Sequence, residues 1–189
     1  MNVFLQTERL LVRRFTEDDL DHLFDLDADA EVMRFINGGK PTSREEIETE
    51  VLPRFLWYYD NFAGYGFWAA IEKASGEFLG WFHFRPEAGA NPDEPELGYR
   101  LRRSAWGKGF ATEASRALIQ KGFTELGVRR VVASAMTANL ASRRVMEKAG
   151  LRFVKTFHQD WPEVIEGSEK GDVEYELTKA EWEKQNLVE

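Results

Sequence analysis

Trp106-Gly107-Lys108-Gly109-Phe110-Ala111-Thr112-Glu113-Ala114 is the stretch on which the reading of this chain turns. It follows a strand-like run, Glu96-Leu97-Gly98-Tyr99-Arg100-Leu101, and leads into a helical pattern, Ala117-Leu118-Ile119 through Phe123. A small-residue turn between strand and helix leaves several backbone N–H groups with no partner inside the helix. Their partial positive charge adds to that of the helix N-terminus and makes a seat for phosphate. The first expectation is therefore a phosphate-bearing ligand held by backbone. Two glycines before a helix also serve as a plain connection. The spacing is not G-x-G-x-x-G, because Thr112 occupies the third glycine position, and no G-x-x-x-x-G-K-[ST] occurs.

Working outward, Arg9-Leu10-Leu11-Val12-Arg13 reads as an opening strand, and Thr16-Glu17-Asp18-Asp19 as the cap of a helix bearing Leu20, Leu23, Phe24 and Leu26. Ser43, with Glu46 three residues on, caps a second helix that Pro53 kinks or splits. Phe67 to Ile71 and Phe78 to Phe84, joined by Ala74-Ser75-Gly76, form a hairpin signature. Residues 86–95 are a loop. The strand at 96–101, a helix over about 109–126 and the strand 130–135 make a βαβ unit. Asn139 opens another helix, which Gly150 ends, and strands near 151–158 and 172–178 follow. The expected order is β-α-α-β-β-β-α-β-α-β-β, an α/β chain with a mixed sheet, helices on its faces and one domain over 1–189.

Composition narrows the function. The 189 residues, 43% hydrophobic, fill one sizeable core. No apolar run approaches the roughly 20 residues that span a bilayer, and Met1 to Glu8 does not resemble a signal peptide. With no cysteine, disulfides, thiolate metal sites and a cysteine nucleophile are excluded, and His22, His83 and His158 have no metal-ligand spacing. The expectation is a cytoplasmic, metal-free protein with no membrane partner. Residues 100–152 hold 12 Lys and Arg against 3 acids, a segment charge of +9. The rest carries 13 bases and 30 acids, or −17. That asymmetry points to an anion bound on one part, or to an unevenly charged surface. The basic block is short, mostly helical and without interleaved aromatics, which argues against nucleic acid.

The order of elements, with Trp106 to Glu113 after the fourth strand and Asn139-Leu140-Ala141-Ser142 opening a later helix, resembles the GNAT superfamily of acetyl-CoA-dependent N-acetyltransferases. Thr7 to Arg13, Asp29 to Phe35 and Val173 to Leu177 look like its RimJ/RimL-type branch. The likeness spans nearly the whole chain. It implies that the coenzyme A pyrophosphate sits on Trp106-Gly107-Lys108-Gly109-Phe110-Ala111, with Leu101 and Thr112 flanking. Gly109 and Ala111 match the family pattern, Trp106 departs from it, and Lys108, Arg102 and Arg103 are candidate phosphate contacts. Asn139 would bond the pantetheine arm. The position often held by a proton-donating tyrosine is Met146, so the resemblance assigns that task to Ser142. Read alone, Asn139 is equally a helix N-cap and Ser142 a packing residue.

A free amine, with a pKa of about 10, must lose a proton before it attacks a thioester. Glu96 lies where many family members place a general base, and His83 is the runner-up. Backbone N–H groups near Tyr99 to Leu101 would stabilise the charge developing on the carbonyl oxygen. The expected activity is direct acetyl transfer from acetyl-CoA, as co-substrate, to a primary amine. A protein or peptide N-terminus comes first as acceptor and a small-molecule amine next. The resemblance places the acceptor against Arg34 to Arg44 and Gln159 to Gly171, whose Asp160, Trp161, Glu163, Glu166 and Glu169 form an acidic rim suited to a cation, or a plain solvated loop. Many relatives are dimers, so a homodimer stays open. The alternatives are an acyl-CoA-binding sensor or scaffold of the same fold without catalysis, and a nucleotide-binding α/β protein.

Overall fold

Period-two alternation of apolar residues builds eight strands in the computed structural model, which describes residues 2–86, 91–159 and 164–187. They are β1 Val3–Gln6, β2 Leu10–Arg14, β3 Gly66–Glu72, β4 Phe78–Arg85, β5 Glu96–Leu101, β6 Arg130–Met136, β7 Arg152–Phe157 and β8 Asp172–Thr178. Their order in one sheet is β1-β2-β3-β4-β5-β6-β8-β7. Every neighbouring pair is antiparallel except β5 and β6, which are the parallel strands of the expected βαβ unit.

Helices cover both faces. They are α1 Leu20–Asp27, α2 Ala30–Asn37, α3 Arg44–Glu46, α4 Leu52–Asn61, α5 Phe110–Glu125, α6 Leu140–Lys148 and α7 Lys179–Asn186. In β3, Phe67 and Ala69 face a cluster with Leu23, Leu26, Ile47 and Phe55. Trp68 and Ala70 face the other way, toward Phe82, Phe84, Leu118 and Phe123. The sheet therefore separates the α1–α4 side from the α5 and α6 side, and stacked rings such as Phe55 on Phe67, 3.9 Å between centroids, fill the first of these. No helix of the described residues is long and apolar enough to cross a membrane.

Three elements add to the expected order. β1 pairs with β2. Asp29 caps α2 by accepting the Glu31 N–H. Thr178 and Glu181 form a capping box that starts α7. Ser43 caps α3 as expected, accepting the Glu46 N–H at 3.1 Å. A π-helical segment, Ile47–Val51, then precedes Pro53. Proline has no N–H for the preceding turn, and the wider turn absorbs that loss without ending the helix.

The feature that matters for function is a parting of the sheet. β6 and β8 stay in register over seven pairs, from Arg130↔Thr178 to Met136↔Asp172. β5 and β6 pair at one position, Glu96↔Val132, steadied by the Val132 N–H on the Pro95 carbonyl at 3.1 Å. Past that point the two strands separate, and the helices that follow them, α5 and α6, start beside the gap.

Candidate active site at the parting of two strands

On the α5 and α6 side a cavity of about 440 Å³ runs between the two helix starts. Gly107 and Gly109 turn the chain into α5 with φ of +71° and +84°, a left-handed backbone that costs an L-residue about 1–2 kcal/mol. Gly109 is the N-cap and supplies no side-chain acceptor, so the first N–H groups of α5 are not capped by it. The turn is held from outside. Glu113, one turn into α5, accepts from Thr7 Oγ1 at 2.5 Å, the Arg9 backbone N–H at 2.9 Å and Arg9 Nε at 2.6 Å. Arg9 also donates to the Lys108 carbonyl at 2.9 Å and lies over the Phe110 ring. Burial opposes ionisation of Glu113, but the bonds from Thr7 and Arg9 outweigh it and hold its carboxyl below the ordinary value.

Of the residues expected here, Leu101, Trp106, Gly107, Gly109, Ala111 and Thr112 line one wall, and Asn139 and Ser142 the other. The rest point elsewhere. Arg102 lies over the Phe78 ring, 3.7 Å from Asp25, and Arg103 approaches Asp29 at 4.0 Å. Phe110 is buried in the core, and Lys108 offers its carbonyl to Arg9 rather than a side chain to the cavity. Two bases that sequence reasoning did not single out do line it, Arg144 and Lys148 of α6. Neither meets a carboxylate among the described residues. Their signal was helical spacing, since Ala141, Arg144 and Lys148 fall on one face.

The α1–α4 side holds a second cavity of about 520 Å³. Tyr99, Asn139, Ser142, Val145 and Phe35 line both, so the gap between β5 and β6 is a passage through the sheet. Asn139 does cap α6, its Oδ1 accepting the Ser142 N–H at 3.1 Å. That bond fixes the first turn and places the Ser142 hydroxyl at the passage. Tyr99 donates its hydroxyl to Ser142 Oγ at 3.2 Å. Burial pushes the Tyr99 hydroxyl up, and the bond to Ser142 only partly offsets this, leaving it at about 12. A phenol thus stands behind the serine, while Met146, where the resemblance would place a tyrosine, is buried in the core. Sequence reasoning used Tyr99 for its place in a strand and for its backbone N–H, not for its hydroxyl.

The Arg102 N–H bonds the Leu79 carbonyl at 2.8 Å. By the alternation of an antiparallel ladder, the N–H groups of Tyr99 and Leu101 then turn the other way, to the side that β6 has left. The Leu101 carbonyl on that side is taken by the Trp106 indole at 2.8 Å.

Glu96, His83 and Arg85 meet on the α1–α4 side. Glu96 Oε2 lies 3.4 Å from His83 Nε2 and 3.5 Å from Arg85, and its Oε1 accepts from Ser134 Oγ at 3.2 Å. The imidazole lies across Gly98, where any Cβ would come within 2.5 Å of the ring. Burial works to raise the Glu96 carboxyl, but His83, the Arg85 guanidinium and the Ser134 hydroxyl outweigh it and hold it at about 2. Such a group stays ionised and takes a proton weakly. Phe35, Ile36 and Gln159 come from the segments expected to meet the acceptor and do line this cavity. Of the acidic rim, Asp160, Trp161 and Glu163 lie outside the described residues, and Glu166 is drawn to Arg34 at 3.3 Å.

The Acetyltransferase (GNAT) domain family matches residues 9–152. The chain belongs to that family and is an N-acetyltransferase. It is 34% identical over 187 residues to the FsC-acetyl coenzyme A-N(2)-transacetylase of Aspergillus fumigatus, covering 94% of this chain and 77% of that one. Its fold is similar to that of the ribosomal L7/L12 α-N-protein acetyltransferase RimL in complex with coenzyme A. There the TM-score is 0.76 at 21% identity, over 94% of this chain and 98% of that one. It is also similar to the spermidine N-acetyltransferase of Vibrio cholerae in complex with CoA and spermine. In that case the TM-score is 0.72 at 15% identity, over 92% and 98% of the two chains.

Proposed function

We propose that the chain, acting as one transferase domain over 1–189, moves an acetyl group from acetyl-CoA directly to a primary amine across the gap between β5 and β6. The observation behind this is the passage itself, in which one cavity holds the phosphate-seat turn, the other holds Glu96 and His83, and Tyr99 and Ser142 border both. The residues suit coenzyme A. The second of two left-handed glycines is the N-cap of α5 and offers no side-chain acceptor, and Arg144 and Lys148, without acid partners among the described residues, stand opposite. Bound there, acetyl-CoA supplies the activated acyl group.

The chain's own residues then divide the work. Glu96 orients His83, and the pair, directly or through water, takes the proton from the amine. The Tyr99 and Leu101 N–H groups face the carbonyl oxygen as it gains charge. Ser142 gives a proton to the leaving sulfur and is replenished by Tyr99. The opening segment, whose Thr7 and Arg9 clamp Glu113 beside the phosphate seat, resembles the RimJ/RimL-like branch, and that resemblance favours a protein or peptide α-amine. A small-molecule amine is the next acceptor class.

Intact-mass analysis after exposure to acetyl-CoA alone, followed by thiol release with an amine panel, tests direct transfer. The expected result is an unmodified protein and release only when an amine is present. A stable acetyl-protein that an amine then discharges would overturn it.

A further inference from the structure

The acceptor-side cavity is lined by two carboxylates, Glu96 and Asp172, and by more arginine than an amine acceptor calls for. Three arginines line it: Arg54 of α4, Arg85 at the end of β4 and Arg100 of β5. Arg100 is matched, because its guanidinium donates to the buried Asp27 at 2.6 Å. The other two are held less firmly. Arg85 reaches Glu96 only at 3.5 Å, and that carboxylate is already shared with His83 and Ser134. It lies equally far, 3.5 Å, from the Tyr58 hydroxyl, and its Nε is buried without a hydrogen-bond partner. Arg54 meets no carboxylate among the described residues. Its guanidinium stands 6.0 Å from the centroid of the Phe55 ring and 5.9 Å from that of Phe67. The Arg85 guanidinium stands 5.5 Å from the same Phe67 centroid. Two guanidinium groups thus gather around one ring, with a single, already shared carboxylate between them.

We propose that Arg54 and Arg85 form a carboxylate-binding subsite, so that the amine acetylated by this protein belongs to a molecule that also bears a carboxylate. The proposal rests on the reading of the gap as the transfer site and names the class of acceptor it takes. The outer nitrogens of Arg85, held only by contacts of 3.5 Å, and the exposed Arg54 guanidinium are donors that an incoming carboxylate can take. The planar fork of arginine matches a carboxylate with two parallel bonds. Tyr58 and Phe67 flank the Arg85 guanidinium, whose partial burial strengthens its attraction for a carboxylate. Position agrees with this division of labour. Arg54 and Arg85 line only the acceptor-side cavity, whereas Tyr99 and Ser142 border both, so the arginines lie beyond the point of transfer. The amine is then directed to Glu96 and His83 while the carboxylate is anchored past them.

The test is calorimetric titration of the full chain, with and without coenzyme A, using matched pairs that differ only in carboxylate against carboxamide. Free α-amino acids, ω-amino acids and dipeptides with an acidic or amidated first residue vary the spacing and separate a metabolite from a peptide as the source. At one spacing or more the carboxylate should bind roughly 10- to 100-fold tighter than its carboxamide, the range expected for a bond to a charged group. Arg54→Gln should abolish that preference and Arg54→Lys restore it in part, with acetyl-CoA affinity serving as the folding control. Carboxamides binding as tightly as carboxylates at every spacing, no member of the panel binding at all, or a preference that survives both Arg54→Gln and Arg85→Gln would each overturn the subsite. If acetyl-CoA itself fails to bind, the transfer reading fails separately, because the coenzyme-free titrations still compare acid with amide.

Discussion

Replacing Tyr99 with Phe and Ser142 with Ala, singly and together, separates a proton relay from two independent contacts. The hydroxyl bond between them is 3.2 Å long and part-buried. Its loss should cost about 1 kcal/mol of stability, which lowers Tm by roughly 2–4 °C in a chain of this size. Ser142→Ala leaves the backbone bond from Ser142 N–H to Asn139 in place, so the helix cap is unaffected. The kinetic effect should be much larger than the thermal one. A positioned proton donor is worth about 10²–10⁴ in rate, and Ser142→Ala should lose at least about 100-fold in kcat with acetyl-CoA affinity nearly unchanged. Tyr99→Phe, which leaves a serine that water can replenish, should lose about 10-fold, near 1.4 kcal/mol. In a relay the tyrosine acts only through the serine, so the double variant should match Ser142→Ala. Burial keeps Tyr99 protonated up to about 12, so no break in the rate should trace to it between about pH 6 and 10. The assay is thiol release at saturating acetyl-CoA. Losses that multiply in the double variant, or a Ser142→Ala rate close to that of the unmodified protein, would refute the relay.

Further outcomes follow from the same geometry. Glu96 is held at about 2 against an ordinary 4.5, so its contribution is complete above pH 4.5 and disappears as pH falls through about 2. That difference is on the order of 3 kcal/mol. Chemical denaturation across this window should show the loss in the native chain and not in Glu96→Gln, and equal slopes would contradict the assignment. Arg144→Gln with Lys148→Gln should weaken acetyl-CoA binding roughly 10-fold or more while leaving Tm within about 2 °C. Unchanged affinity would remove these bases from the phosphate seat. Asp19→Asn breaks a buried pair in which Arg13 grips both carboxylate oxygens at 2.7 Å. It should cost on the order of 3 kcal/mol, since the Arg13 charge is left buried, and a Tm loss under about 2 °C would count against that pair as a support of the fold.

The order of elements was legible wherever a local pattern sufficed. The small-residue turn, the alternation of β3 and β4 and the Ser43 cap each act within a few residues, and each appears where its pattern stands. α7 lay outside the expected order although Thr178 and Glu181 have capping-box spacing, whereas β1 has only four residues and depends on β2 for its pairing. At the site, Asn139 and Ser142 were assigned by the resemblance to the GNAT pattern that opens a helix there. Tyr99 was not, because its meaning depends on a partner 43 residues away that only the parting of β5 and β6 brings near. The same holds for Arg54 and Arg85, which come from different elements and gain significance only by sharing Phe67. Arg102 and Arg103 show the converse. They adjoin the phosphate turn in sequence, yet their side chains turn to acids of the α1–α2 region.

The central claim is that acetyl-CoA lies between the starts of α5 and α6. Isothermal titration of acetyl-CoA into the folded, full-length protein tests it most directly. The structure predicts saturable binding with one site per chain and a Kd in the micromolar range, weakened by Arg144→Gln with Lys148→Gln and untouched by Ser142→Ala. Absence of heat at any concentration, from protein shown by circular dichroism to be folded, would contradict the account.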